Sequence, residues 1–446
     1  MNSSRRTRVV VVIGTRPEAI KMFPVIQALN RSDVIRPYVV LTGQHEDMVR
    51  PVLEMAGVQV DADLEIGPQI RGLNGLVPTV MRKFDDLLAS LRLGRPERRT
   101  RPRMFNKAGN EDDPYPAATL VHGDTSSALG TALASAGVRL PVIHVESGLR
   151  TGDRLSPFPE EMNRQILGRI ATLHLAPTAS NLQNLIQEGV DIRDILITGN
   201  TGLDALRFAA GLTAPWPDER LEVLDRIDGP VIAVTAHRRE NWGAGIRGIA
   251  EGVAGIARAR IDCVVVWPMH PNPAVRAELI PIASDIPNVL LVEPMEYAPF
   301  ARLLARATLA LTDSGGIQEE AQAVHTPVLV TRANSERPEG IDAGFLRLVG
   351  SDPIRIMSVA LDLLSDSKAL AAMQNARNPF GDGHAAERIR WGLEHLITGA
   401  PSPVPFSSGF SRRHILESAG YSDIDIDIDD STSDTHGVGP GRVNLR

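Results

Sequence analysis

The sequence predicts an α/β protein built from two doubly wound domains, and three observations point to this class. Short apolar runs alternate with helix-length segments along most of the chain, as in parallel sheets covered by helices on both faces. Hydrophobic residues make up 43% of the sequence but aromatic residues only 4%, so aliphatic side chains must build the core. A length of 446 residues exceeds what one core usually organises, which favours two domains.

The predicted strands are short runs rich in valine, isoleucine and leucine, and they fall into two series. The first series contains Arg8–Ile13, Pro37–Leu41, Ala118–Val121, Val142–Val145, Leu173–Ala176 and Ile195–Ile197. The second contains Val231–Thr235, Cys263–Trp267, Val289–Val292, Leu309–Leu311 and Val328–Val330. Helix-length segments between them include Pro17–Leu29, Ser126–Ala136, Ala179–Glu188, Ile246–Ala259 and Gly316–Val324.

Two domains follow from these series, with a first domain over residues 1–210 and a second over residues 211–383. The stretch that separates them contains Pro215, Pro217 and Pro230. Two segments lack apolar periodicity. Residues 92–115 carry a run of arginines followed by acids and predict an inserted surface loop, either merely solvated or a basic docking patch. Residues 401–446 are rich in Ser, Pro, Gly and Asp and predict a disordered acidic tail.

Composition excludes several classes of function. A net charge of −7 argues against general nucleic-acid binding, and no apolar run approaches the roughly 20 residues of a membrane span. The single cysteine, Cys263, lies in an apolar run, which predicts a buried thiol and excludes a disulfide framework or a cysteine-based metal cluster. We therefore expect a soluble cytoplasmic protein that binds neither nucleic acid nor membrane and needs no metal.

Two carboxylates follow two neighbouring strands of the first series. Asp124 comes just after one strand and Glu146 just after the next. The carboxyl ends of parallel strands form the ligand crevice, where an acid costs desolvation energy unless the fold uses or neutralises it. For Asp124 alone the structural alternative is an N-cap of the helix that begins near Thr125.

Two strand-to-helix turns predict phosphate contacts. After the first strand, Arg16 stands near a helix start with Lys21 one turn along, and the alternative is a surface ion-pair array of Arg16, Glu18 and Lys21. After strand Leu309–Leu311, Ser314, Gly315 and Gly316 open a helix whose amides can close on a diphosphate, with Glu320 placed to bind ribose hydroxyls. A plain glycine turn is the alternative there. Neither turn carries a dinucleotide fingerprint or a P-loop.

Histidines and a second acidic cluster add to the candidate set. His237 follows strand Val231–Thr235 beside two arginines, so it should face the same crevice. His270 is a weaker candidate of the same kind. Glu160 and Arg164 form an i,i+4 pair that either belongs to the site or only supports its helix. Each domain thus offers charged groups to one shared cleft, which suits a nucleotide-activated sugar.

With these motifs in view, the chain closely resembles the non-hydrolysing UDP-N-acetylglucosamine 2-epimerases. The matching stretches are GTRPEAIKM (14–22), VHGDT (121–125), HVESGLRTG (144–152), SPFPEEMNR (156–164), ITGNT (197–201), AHRREN (236–241), TDSGGIQEEA (312–321), SERPE (335–339) and NPFGDGHAAERI (378–389). They occur in order over roughly residues 9–397. The resemblance implies two Rossmann-like domains in a GT-B-like arrangement, with the active site between them and a C-terminal helix, residues 384–398, crossing back to the first domain.

The resemblance also implies a reaction and a role for each matching residue. A carboxylate removes the C2 proton of UDP-GlcNAc as UDP leaves C1, giving 2-acetamidoglucal, and re-addition yields UDP-ManNAc without a cofactor. Asp124, Glu146 and Glu160 would be the acid/base group, with His237 near the leaving phosphate and the division of labour among the acids left open. The expected substrate contacts are Arg16, Lys21, Arg164, His270, Phe300 on the uracil, Ser314, Gly315, Gly316, Glu320 on the ribose, and Arg337. Phe300 has core packing as its alternative.

The family further implies a homodimer that supplies ManNAc-type sugars for cell-surface polysaccharide. Ala236 and Ser147 depart from the usual glycine and alanine. Many bacterial members bind a second UDP-GlcNAc as activator; here Gln44 is kept, but Asp47 and the run Pro68–Ile70 replace the usual residues of that site, which also involves the position of His270. The alternatives are a hydrolysing 2-epimerase releasing ManNAc and UDP, a glycosyltransferase, and a catalytically silent nucleotide-sugar sensor.

Overall fold

The structure is a computed structural model that describes residues 6–67, 70, 72–92, 115–335 and 337–407. The chain divides into two compact units: residues up to 201 together with those from 383, and residues 202–382. The division after Thr201 falls earlier than the predicted position after residue 210. The reason is that Arg207 donates to the carbonyls of Ala323 and Asp382, which ties its helix to the second unit.

The first unit is a parallel sheet covered by helices. Its strands are β1 (Thr7–Ile13), β2 (Ile35–Leu41), β3 (Ala62–Asp63), β4 (Ala118–His122), β5 (Val142–Val145), β6 (Leu173–Ala176) and β7 (Ile195–Ile197). Its helices are α1 (Arg16–Asn30), α2 (Glu46–Met55), α3 (Leu73–Arg92), α4 (Ser126–Gly137), α5 (Glu160–Ile170) and α6 (Ala179–Gln187), and α7 (Thr201–Ala210) leads into the second unit. Over the described residues the strand order is β3-β2-β1-β4-β5-β6-β7.

The second unit repeats this architecture. Its strands are β8 (Val231–Thr235), β9 (Val264–Pro268), β10 (Val289–Val292), β11 (Leu309–Thr312), β12 (Val328–Val330) and β13 (Leu346–Leu348). Its helices are α8 (Ala244–Ala259), α9 (Pro273–Ala283), α10 (Tyr297–Arg306), α11 (Gly315–Glu320), α12 (Pro338–Asp342), α13 (Pro353–Ser365) and α14 (Ser367–Gln374). In the part of the chain that is described, the order is β10-β9-β8-β11-β12-β13.

These two sheets confirm the predicted α/β class. Each order reverses direction beside the first strand of its series, and the strand pairs are parallel. In such a sheet the ligand crevice lies beyond the carboxyl ends of the strands at the reversal. Central strands such as β1 are buried on both faces, which explains their unbroken valine runs. Strands β3 and β13 are two and three residues long and were not predicted from the sequence.

The C-terminal segment returns to the first unit. Helix α15 (Ala385–Thr398) packs against α1, and Ser32 Oγ donates to Glu394 at 2.6 Å. Beyond it, Phe406 is buried and its amide donates to the Ile197 carbonyl at the end of β7. The disorder predicted from residue 401 therefore does not hold for residues 401–407. The rest of that tail, and residues 93–114 of the predicted insertion, lie outside the described residues.

Two composition-based expectations bear on the described chain. Cys263 is free and fully buried, as the sequence predicted, and burial raises the pKa of its thiol to about 12. No helix in the described ranges has the length and apolar character needed to cross a bilayer.

Candidate active site

Asp124 and Glu146 lie just past the carboxyl ends of the paired strands β4 and β5. Gly123, with φ +65°, turns the chain sharply after β4, and its amide donates to the Val145 carbonyl. A left-handed conformation at this point suits glycine because it has no Cβ. The turn therefore sets the backbone of Asp124 relative to the end of β5.

An arginine from α5 holds the Asp124 carboxylate. Arg164 directs Nε and Nη2 at the same oxygen, Oδ2, at 2.8 and 2.7 Å. Asn163 donates to the Asp124 carbonyl at 2.7 Å, so side chain and backbone are both fixed from one helix. The N-cap alternative for Asp124 is wrong, because Thr125 caps α4 by accepting from the Ala128 amide.

The acidic pair at the start of α5 divides into two environments. Glu161 is fully buried and accepts from Arg164 Nη1 and from the Thr151 amide, both at 3.1 Å. Glu160 is half-buried and forms no hydrogen bond or ion pair with any described residue. The expected i,i+4 pair of Glu160 and Arg164 is therefore wrong, since Arg164 uses its donors on Asp124 and Glu161. The Glu160 carboxylate therefore has no ion-pair partner among the described residues.

Two basic side chains surround the Glu146 carboxylate. Lys21 Nζ from α1 pairs with Oε2, and Nε2 of the buried His122 lies 3.3 Å from the same oxygen. Burial raises the pKa of Glu146, but Lys21 and His122 together outweigh burial and hold it below its ordinary value. Glu146 also has φ +60°, a conformation that costs a non-glycine residue about 1–3 kcal/mol and that clusters at functional sites. The position of the Glu146 carboxylate therefore depends on a backbone conformation that is unfavourable for glutamate.

A buried carboxylate ties the first turn of α1 to the Asp124 loop. Glu18 accepts from the amides of Gly14 and Thr15 at 2.8 and 2.7 Å, and Thr125 Oγ1 donates to it at 2.6 Å. The alternative of a surface ion-pair array of Arg16, Glu18 and Lys21 is therefore wrong. Burial raises the pKa of Glu18, although these donors oppose the rise.

Gly14 and Arg16 complete this turn. A Cβ at Gly14 would lie 2.3 Å from Ser127 Oγ, so the close approach of α4 requires glycine there. Arg16 is the first residue of α1, half-buried, and its side chain pairs with no described residue. Its guanidinium is therefore available to a ligand.

Two further histidines lie on the strands behind these loops. His144 Nε2 lies 2.7 Å from the Gly123 carbonyl, and His174 Nδ1 lies 2.9 Å from Ser147 Oγ. Burial lowers the pKa of His144 to about 3 and that of His174 to about 4. Both are neutral at pH 7, so His144 must carry its proton on Nε2 in order to donate to Gly123.

These histidines predict an acid-sensitive fold. As the pH falls from 6.5 to 4.5, these two imidazoles bind protons in the unfolded chain but stay neutral in the folded protein. The free energy of unfolding should therefore fall by about 1.4 kcal/mol per pH unit for each histidine. Urea unfolding across this range measures the slope. His144→Gln can still donate a hydrogen bond to the Gly123 carbonyl, and it should reduce this slope by the contribution of one histidine, about 1.4 kcal/mol per pH unit. His45→Gln, at an exposed histidine, is the matched control. An unchanged slope in His144→Gln would contradict a neutral His144.

In the second unit, buried Asp313 organises the loop after β8. It accepts from the amides of His237 and Arg238 and from Asn241 Nδ2, at 2.9 to 3.1 Å. Its Oδ1 also lies 3.4 Å from His237 Nδ1. Burial lowers the pKa of His237, although Asp313 acts in the opposite direction. His270, which follows β9, stacks on His237 with ring centroids 6.1 Å apart.

The glycine pair after β11 begins a helix. Gly315 and Gly316 are the first two residues of α11, so the plain-turn alternative is wrong. Ser314 stands at the N-cap position without a side-chain cap hydrogen bond, which leaves its hydroxyl for another acceptor. Arg337 lies against Gly315, with Nη2 3.2 Å from where a Cβ would be. Glu320 ends the helix, and its Oε1 would lie 3.4 Å from a Cβ at Gly316.

Two candidates stand apart from these clusters. Phe300 is half-buried on α10 and is not among the fully buried core residues. Gln44, at the position of the family's activator site, accepts from Ser127 Oγ at 2.7 Å. Residues 68 and 69, which replace other residues of the activator site, lie outside the described residues. No group of three or more potential metal ligands occurs among the described side chains.

Sequence reasoning missed four residues that build these clusters: Glu18, His122, Asp313 and Arg238. His122 and Asp313 stand at strand ends, a signal that was available. Glu18 resembled a surface charge, because only the tertiary fold shows its burial.

Comparison with known proteins identifies the family of this chain. A sequence model of the family described as UDP-N-acetylglucosamine 2-epimerase matches residues 111–394. A Yersinia pestis protein named UDP-N-acetylglucosamine 2-epimerase is 40% identical over 397 residues, covering 88% of this chain and 100% of that protein.

Solved structures give the same result. A Listeria monocytogenes structure is 37% identical, with a TM-score of 0.80 over 90% of this chain and 100% of that one. A Neisseria meningitidis UDP-GlcNAc 2-epimerase, solved with UDP-GlcNAc bound, is 34% identical, with a TM-score of 0.71 over 88% of this chain and all of that one. The chain belongs to the UDP-N-acetylglucosamine 2-epimerase family.

Proposed function

We propose that this protein interconverts UDP-GlcNAc and UDP-ManNAc by eliminating UDP and adding it back. The observation that carries the proposal is the pair of strand-end carboxylates, Asp124 and Glu146, each fixed by a basic side chain from a different helix. The family membership, and the UDP-GlcNAc bound to the Neisseria relative, support this substrate.

Elimination solves the chemical difficulty at C2. That carbon is not next to a carbonyl, so its proton is too weakly acidic for simple abstraction. In the proposed step a carboxylate takes the C2 proton, the C–H electrons form the C1=C2 bond of 2-acetamidoglucal, and the C1–O electrons leave with the diphosphate. Re-addition of UDP with protonation from the other face inverts C2. No hydride moves, so the step needs no redox cofactor.

We assign the acid/base work to Asp124, Glu146 and Glu160. Arg164 orients Asp124, and Lys21 with His122 keeps Glu146 ionised, so Glu146 begins turnover without a proton. Glu160, which pairs with no described residue, is placed to exchange its proton without first breaking an ion pair. Which of the three serves each face of the sugar stays open.

The second unit supplies the proposed nucleotide contacts. Ser314, Gly315, Gly316 and Arg337 would hold the diphosphate, with His237 beside the leaving oxygen. Glu320 would accept from the ribose hydroxyls and Phe300 would cover the uracil. In the first unit, Arg16 would contact the phosphates, because its guanidinium pairs with no other described side chain.

From the family resemblance alone, we also propose a cytoplasmic homodimer whose product feeds cell-surface polysaccharide. Size-exclusion chromatography with light scattering tests the dimer.

Product analysis tests the proposed reaction. Incubation with UDP-GlcNAc, followed by proton NMR, should show UDP-ManNAc rising to a constant ratio while total UDP-sugar is conserved. Asp124→Asn is the inactive control. Free UDP and ManNAc rising in equal amounts would establish a hydrolysing enzyme instead, and unchanged UDP-GlcNAc that still binds would indicate a sensor.

A further inference from the structure

Glu161 is a buried acid beside the proposed acid/base group. It is the second residue of α5, next to Glu160, and none of its side chain is exposed, whereas 24% of the Asp124 side chain is exposed. A carboxylate without exposed surface cannot touch a substrate. Any effect of Glu161 on the reaction must therefore pass through a neighbouring residue.

The Glu161 carboxylate accepts hydrogen bonds from three donors. Its Oε2 accepts from Arg164 Nη1 and from the amide of Thr151, which lies in the loop after Glu146, both at 3.1 Å. Its Oε1 accepts from Gln165 Nε2 at 3.2 Å. Of these donors only Arg164 carries a charge. The charge of Glu161 therefore acts mainly on Arg164, while the other two bonds fix the carboxylate in place.

Arg164 is shared between two carboxylates. Its Nε and Nη2 contact Asp124 Oδ2 at 2.8 and 2.7 Å, and its Nη1 donates to Glu161. One guanidinium thus faces two carboxylates, which leaves one negative charge in excess. An arginine favours the charged form of a neighbouring acid, whereas a second carboxylate nearby disfavours it. Glu161 therefore offsets part of the effect that Arg164 has on Asp124.

We propose that Glu161 is a positioning residue, which orients Arg164 toward Asp124 and keeps the Asp124 carboxylate able to exchange a proton with C2 of the sugar. This rests on the proposed function. An arginine that served Asp124 alone would orient it equally well but would oppose its protonation more strongly. Both contacts from Arg164 reach Oδ2, and Asp124 Oδ1 pairs with no described residue, so Oδ1 is the oxygen that would take the proton.

Steady-state kinetics of two substitutions in the full chain test this. Glu161→Gln keeps the shape and removes the charge, so Arg164 is left to Asp124 alone and kcat should fall by about 10–100-fold. Glu161→Asp keeps the charge and shortens the side chain, so it should retain more of the kcat than Glu161→Gln. The Kd for UDP should stay within about threefold in both, because a buried residue makes no ligand contact. Glu251→Gln, at an exposed glutamate, is the matched control and should keep full activity.

A double variant shows whether the effect passes through Asp124. In the Asp124→Asn background, Glu161→Gln should cause no further loss of kcat, because the group through which it acts is already gone. A role confined to folding predicts additive losses, and it predicts that the isosteric Glu161→Gln is more active than Glu161→Asp. Either result would overturn the inference. If the unchanged protein does not convert UDP-GlcNAc, the proposed function fails; if it does and Glu161→Gln matches it, only this inference fails.

Discussion

Replacing Asp124 with asparagine should lower kcat for C2 epimerisation by about 10²–10⁴-fold, the usual contribution of a positioned acid or base. Asparagine has the same shape and offers Arg164 one carbonyl oxygen, so the contact at 2.7–2.8 Å has a replacement. What the amide cannot do is accept or deliver a proton. The change therefore removes chemistry while leaving the fold of the loop.

Nucleotide binding separates this expectation from a structural defect. The proposed UDP contacts lie mainly in the second unit, so the Kd for UDP should stay within about threefold in Asp124→Asn, whereas a misfolded loop would also change thermal stability. Asp285→Asn, at an exposed aspartate, is the matched control and should keep full activity. A variant that retains more than a tenth of the kcat would contradict the role of Asp124.

Replacing Lys21 with methionine should destabilise the protein and impair turnover, because it strips Glu146 of its ammonium partner. Loss of one partner of a buried pair costs up to about 3–5 kcal/mol, and we expect the lower end because the two side chains keep 16% and 21% of their surface exposed. Urea unfolding at pH 7 measures this loss, and steady-state kinetics should show a lower kcat. Lys368→Met, at an exposed lysine, is the control.

The pH dependence of that loss identifies its cause. In the unchanged protein the pKa of Glu146 is depressed, so its contribution is present above the unfolded pKa and is lost as the pH falls below it. Without Lys21 the effect of burial dominates and the folded pKa rises, so the penalty should be largest at pH 7 and shrink toward pH 5. The double variant Lys21→Met with Glu146→Gln should recover most of the stability. An equal penalty at pH 5 and pH 7 would contradict a charge-based explanation.

Strand ends account for what the sequence could predict of this site. The carboxyl ends of parallel strands meet at one edge of the sheet, so the positions of Asp124 and Glu146 just after two strands were enough to predict that they lie there. The partners depend on helix orientation. The spacing predicts a pair of Arg164 with Glu160, yet Arg164 contacts Glu161 on its own helix and Asp124 in the loop after β4.

The sequence also could not predict which charged side chains are buried. Glu18 belongs to a charged run that suggests an exposed surface. In the structure its side chain is buried beside the turn at Gly14, where four hydrogen-bond donors compensate the desolvation of its carboxylate. Arg238 and Arg239 are adjacent and chemically identical, yet the Arg238 side chain is half-buried and that of Arg239 is exposed. Periodicity carries no information about either.

Transfer of solvent hydrogen to C2 tests the central claim most directly. UDP-GlcNAc turned over in deuterated water should yield UDP-ManNAc whose C2 position carries deuterium, because the carboxylate that reprotonates C2 exchanges with solvent. Proton NMR should show the H2 signal of the product disappear and its H1 coupling collapse. UDP-ManNAc formed with its C2 hydrogen retained would contradict proton removal by these acids.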